Sequence, residues 1–149
     1  MAPQPLPEVV RRRAAAAWLD DAEADLANAR TLSLHRDEHT TPFAAAFHAE
    51  QAVEKVLKAL LIWHGIDCPP QHDLGLLVSL LTAGTATRQL TIAGLTVYAV
   101  EQRDVAGAWN PMNLNERHTW DEAEDAISTA ENALSVATAD LIAAGLNGR

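Results

Sequence analysis

Thr41-Pro42-Phe43-Ala44-Ala45-Ala46-Phe47-His48-Ala49-Glu50-Gln51-Ala52-Val53-Glu54-Lys55-Val56-Leu57-Lys58-Ala59-Leu60-Leu61-Ile62-Trp63-His64-Gly65 is the stretch that decides the architecture. Thr41 supplies an N-cap, and Pro42 fits the first helical position, where no backbone N–H is needed. Gly65 is the stop. At about 100° per residue, Ala46, Ala49, Val53, Val56, Leu57, Leu60 and Leu61 share one side of the helix, while His48, Gln51, Glu54, Lys55 and Lys58 share the other. Glu50 breaks the pattern, because the same wheel sets it in the stripe of Phe43, Leu57 and Leu61. An unpaired carboxylate there would cost several kcal/mol. Either Glu50 bonds a histidine or arginine from another helix, or it reaches out at the edge of the stripe.

Working outward, apolar residues recur at Ala15, Trp18, Ala22, Leu26 and Ala29, with Asp21, Glu23 and Asp25 between them, which predicts a long amphipathic helix from Glu8 to about Leu32. Pro3, Pro5 and Pro7 make residues 1–7 an expected extended, frayed arm. Ser33 to Thr41 reads as a polar loop. Beyond Gly65, the prolines of Asp67 to Gln71 predict a turn, and Asp73 can cap a short third helix ending near Gly84. A fourth helix is expected from about Arg88 to Val105, with a strand as competitor because Ile92, Val97 and Val100 are β-branched. Gly107 to His118 reads as a loop. Thr119 caps a last helix, with Glu122 completing a capping box, and its stripe runs through Ala123, Ala126, Ile127, Ala130, Leu134, Ala137 and Leu141 to a stop at Gly145. The expected fold is all-α: a five-helix up-and-down bundle over residues 8–145, with residues 146–149 as a tail.

Composition agrees. The chain has 149 residues, enough for one domain whose core needs no disulfide or metal. Alanine contributes 29 residues and Phe, Trp and Tyr together only 7, a balance suited to closely packed helices. The net charge of −9 would repel a phosphate backbone, so nonspecific nucleic-acid binding is not expected. The run Arg11-Arg12-Arg13 reads as a solvated helical face. The apolar run after it ends too soon, at Asp20, for an export signal, and no stretch reaches the ~18 apolar residues of a membrane span. Cys68, the lone cysteine, permits no internal disulfide and reads as a reduced spectator in a cytoplasmic protein.

The segment Ala46 to Lys55, with Lys58-Ala59-Leu60-Leu61 and the later His72-Asp73-Leu74, resembles the HEPN family (higher eukaryote and prokaryote nucleotide-binding domain). The resemblance extends to Trp18, Asp25 and Leu26, to Tyr98 and Arg103, and to the alanine-rich last helix, covering about Ala14 to Ala144. It implies a five-helix bundle of the nucleotidyltransferase substrate-binding subunit type, commonly a homodimer, often encoded beside a small nucleotidyltransferase. Many members are ribonucleases in which an Arg holds a phosphate and a His, about four to six residues on, moves a proton. Arg103 occupies the arginine position here, but Asp104 to Asn110 contain no histidine. His118 lies beyond the expected loop, and His72 is the other imidazole to consider. The resemblance therefore implies a noncatalytic interaction or nucleotide-binding module, possible in a toxin–antitoxin-type pair, with a metal-independent endoribonuclease using Arg103 and His118 or His72 as the alternative. Candidate ligand- or partner-binding residues are Glu50, Gln51, Glu54, Lys55, Lys58, His72, Asp73 and Arg103.

Other patterns are weaker. His35-Arg36-Asp37-Glu38-His39 matches H-x-x-E-H, yet it lies in a polar loop with no further ligand evident downstream, so no metal is expected. No phosphate-binding glycine loop and no G-x-S-x-G is present, and no cofactor is expected. Gln51, Glu54, Lys55 and Lys58 read either as a solvated face with Glu54–Lys58 and Gln51–Lys55 pairs, or as a polar site where the lysines meet phosphate or a charged partner. Trp63, Trp109 and Trp120 read as core or interface anchors.

Overall fold

The computed structural model describes residues 4–70, 72–81, 85–90 and 118–147. Four α-helices account for most of these: α1 (Glu8–Leu34), α2 (Pro42–Trp63), α3 (Leu74–Leu80) and α4 (Trp120–Ala143), with one 3-10 turn at Thr87–Gln89. No strand occurs among the described residues, so the described chain is all-α. Residues 107–117 of the expected loop and most of the expected fourth helix, with Tyr98, Arg103 and Trp109, fall outside the described residues.

The caps read from the sequence set the helix starts. Thr41 Oγ1 accepts from Ala44 N at 3.1 Å, Asp73 Oδ1 from Leu76 N at 3.2 Å, and Thr119 Oγ1 from Glu122 N at 3.2 Å. Both long C-terminal stops are Schellman turns. In α2, Ile66 N donates to Leu61 O and Gly65 N to Ile62 O; in α4, Leu146 N donates to Leu141 O and Gly145 N to Ile142 O. Gly65 at φ +69° and Gly145 at φ +109° supply the left-handed residue each turn requires. A Cβ at Gly65 would also run into the Arg11 guanidinium.

One boundary differs from the sequence reading. α3 stops at Leu80, and Leu81 is extended, because the Arg88 guanidinium takes the carbonyls of Val78 at 3.4 Å, Leu81 at 2.8 Å and also Ser79. At Arg88 the described residues form a 3-10 turn, and residues 91–105 of the expected fourth helix lie outside the described residues. Thr87 is fully buried, with its N–H bonded to Asp140 at 2.9 Å, and the chain makes one 3-10 turn before Leu90 turns extended.

Alanine decides the packing. α2 is the central helix, packed most extensively on α1 and next on α4, and Ala45, Ala49, Ala52 and Ala59 are all fully buried on it. Ala22 and Ala29 of α1 and Ala130 and Ala137 of α4 are fully buried in the same core and bring no side-chain bulk beyond a methyl, which favours close approach of the axes. Leu57, Leu60, Leu61, Leu74, Leu77 and Leu141 fill the space that remains. Arg30–Glu131 at 2.7 Å and, from the turn after α1, the Arg36–Glu124 pair tie α1 and its C-terminal extension to α4 in antiparallel register.

Candidate functional site: the polar face of α2

With α1, α3 and α4 all packed on it, α2 has little surface left to expose. This corrects the reading of Glu54 as a solvated residue: it is 3% exposed, because the 54 position faces the segment that leads into α3. Asp25 is likewise buried rather than lying between apolar positions. Its spacing from Ala22 and Ala29, three back and four on, already put it on the buried stripe of α1.

Two carboxylates organise the face. Asp25 Oδ2 accepts from Lys55 Nζ at 2.6 Å, and its Oδ1 lies 2.9 Å from His48 Nδ1. Glu54 Oε1 accepts from Lys58 Nζ at 2.7 Å and lies 2.7 Å from His72 Nδ1, while Gln51 Nε2 reaches Glu54 Oε2 at 3.3 Å. An ionised carboxylate only accepts, so Nδ1 of each histidine carries the proton and Nε2 is left as the ring's second polar atom. Lys58 Nζ also sits 5.5 Å from the Trp18 ring centroid, a cation–π contact that joins α1 to the same face.

The candidate residues are therefore distributed as follows. Glu54, Lys58, His72 and Gln51 come together, with Lys55 on the neighbouring Asp25. Glu50 is fully buried, as its wheel position implied, and Gln51 Nε2 donates to its Oε2 at 2.7 Å. Of the expected helical pairs, Glu54–Lys58 forms, whereas Gln51 turns to the two glutamates and Lys55 to Asp25. Asp73 is spent on capping α3. His118 lies elsewhere: its ring centroid is 5.4 Å from that of Phe43, and its Nδ1 is 3.3 Å from Glu122. Phe43 and Glu54 are eleven residues apart on α2, about 16 Å along the axis, so His72 and His118 belong to different places. Asp25 and His48 are the members of this site that residue patterning missed; their pairing spans 23 positions.

Cys68 borders the face. Burial pushes its thiol above the ordinary value of 9.0, nearby Lys58 pulls it down and Glu54 pushes it up again. Lys58 is the basic neighbour that the local sequence does not reveal. The H-x-x-E-H segment is a turn in which Asp37 Oδ1 accepts from His39 N and Thr40 N, with Glu38 and His39 more than four-fifths exposed. No group of three or more His, Cys, Asp or Glu suited to a metal occurs among the described residues. None of the described helices is long and apolar enough to cross a membrane.

A central helix wrapped by alanine-rich neighbours, with an i, i+4 Glu–Lys pair, a following histidine bound back to it and an aspartate capping the next helix, defines a class of helical-bundle domain. The HEPN domain family model matches residues 15–140, and the chain belongs to that family. Among solved structures it is similar in fold to the crystal structure of ST0689, an archaeal HEPN homologue, at 23% identity and a TM-score of 0.61, covering 85% of this chain and 97% of that one. No curated protein matches the chain.

Proposed function

We propose that this chain is a noncatalytic HEPN module that acts as a homodimer and docks a small nucleotidyltransferase through the polar face of α2, in a toxin–antitoxin-type pair. The observation that carries this reading is the charge compensation of that face. Lys55 and Lys58 are each bonded to a carboxylate buried beneath them. A nucleotide phosphate would have to compete with Asp25 and Glu54 for both ammonium groups, at the cost of leaving buried carboxylates unpaired. A protein partner meets no such cost. It can bond Nε2 of His48 and His72, whose side chains are 34% and 40% exposed, without disturbing the ion pairs underneath.

The sequence supports the noncatalytic half. No histidine follows Arg103 within the interval that the ribonuclease members use, and Asp104 to Asn110 supply no other side chain that shuttles protons near neutral pH.

The gene beside this chain is expected to encode a small nucleotidyltransferase, and co-expression with that protein tests the docking. The complex is expected to survive size-exclusion chromatography with the wild type and to dissociate in the double variant His48→Ala/His72→Ala, whose helicity is checked by circular dichroism. Absence of such a neighbouring protein, or a complex indifferent to both substitutions, overturns it.

A further inference from the structure

At the other end of α2 lies a cavity of about 630 Å³ between the first two turns of α1 and the segment after α4. Its apolar wall is Val9, Trp63 and Leu146, and Arg12 and Arg13 stand on its rim. The Trp63 indole is fixed, since Nε1 donates to Ala144 O at 3.2 Å and the Arg12 guanidinium stacks 5.1 Å from the ring centroid. Val9 is 60% exposed, while Trp63 and Leu146 are half-buried, so the wall is open at the Val9 side among the described residues.

Charge sets what fits. The chain carries −9 overall, yet Arg11, Arg12 and Arg13 gather here. Arg12 is bonded to Glu8 and Arg11 donates to Trp63 O at 3.3 Å. Arg13 makes no ion pair with any described residue and is exposed. We infer that this cavity docks an acidic, apolar peptide segment of a protein partner: a carboxylate on the Arg13 guanidinium and an adjacent aliphatic side chain against Val9, Trp63 and Leu146. A single carboxylate answers the Arg13 guanidinium, which has no ion pair among the described residues, whereas the extended polyanions of RNA or an anionic membrane would meet the repulsion of the remaining surface. The site is about 22 Å along α2 from His48 and stands independently of the function proposed above.

The test uses the full chain and a fluorescein-labelled heptapeptide of leucine and serine with a single central glutamate, read by fluorescence anisotropy, beside the same peptide with glutamine for glutamate. Saturable binding is expected to the glutamate peptide, weakened roughly tenfold or more by Arg13→Glu and by the glutamine peptide, with Arg13→Lys between. Arg13 is exposed, so both variants are expected to keep wild-type helicity. Absence of saturable binding, equal binding of the two peptides, or indifference to Arg13→Glu overturns the inference. So does displacement of the peptide by inorganic phosphate alone, or an Arg13-dependent self-association without peptide binding.

Discussion

His72 Nδ1 lies 2.7 Å from Oε1 of Glu54, a contact made across 18 positions between the approach to α3 and the middle of α2. Lys58 bonds the same oxygen, so one buried carboxylate holds both a helix and the segment that follows it. Glu54→Ala leaves the Lys58 ammonium, only 13% exposed, without its carboxylate and is expected to destabilise the fold by about 3–5 kcal/mol. Glu54→Gln keeps the shape and costs less. Urea unfolding midpoints measure both, and an alanine variant within about 0.5 kcal/mol of wild type contradicts the role given to this pair.

This contact also marks where sequence reading stops. The starts and stops of α2 and α4 were legible because Thr41, Gly65, Thr119 and Gly145 act on backbone groups a few residues away. The buried setting of Glu50 was legible too, since a wheel places a residue relative to its own helix. Glu54 was misread for the same reason: a wheel assumes one buried side, and α2 is covered on several. Asp25–His48 and Glu54–His72 depend on which elements become neighbours in space, which no local spacing records. At Arg88, long-range bonds to the carbonyls at the end of α3 hold a 3-10 turn that no local spacing announces.

Asp25 ties α1 to α2 through Lys55 and His48. Asp25→Asn removes the charge from both bonds and is expected to cost about 1.5–3 kcal/mol. Adding Lys55→Met should recover part of that loss, because the partly buried cation goes as well. A double-mutant cycle on unfolding free energies checks this; strict additivity contradicts the pairing.

The alanine seams make a different demand. Ala49 and Ala52 are fully buried where α2 meets its neighbours, so Ala52→Leu is expected to destabilise by about 1–3 kcal/mol or more, despite being apolar and a good helix former. Leu57→Ala, at an equally buried position, should cost about 2–5 kcal/mol through the cavity it leaves. Thermal unfolding followed at 222 nm resolves both. A stabilised Ala52→Leu variant would contradict close axial approach.

Burial raises the Cys68 thiol above 9.0, opposed by Lys58 and reinforced by Glu54. Iodoacetamide should therefore label the native protein more slowly at pH 8 than the urea-unfolded chain, and Lys58→Met should slow it further. A group whose folded value is raised stabilises the fold fully below its unfolded value, so this contribution is present at neutral pH. It is lost as pH climbs through and beyond 9.0 towards the folded value. Native labelling as fast as that of the unfolded chain contradicts the burial.

The most direct test of the noncatalytic module is incubation of the purified protein with RNA in EDTA, beside Arg103→Ala. Intact RNA with both proteins is the predicted result. Cleavage by the wild type that disappears in Arg103→Ala would contradict it.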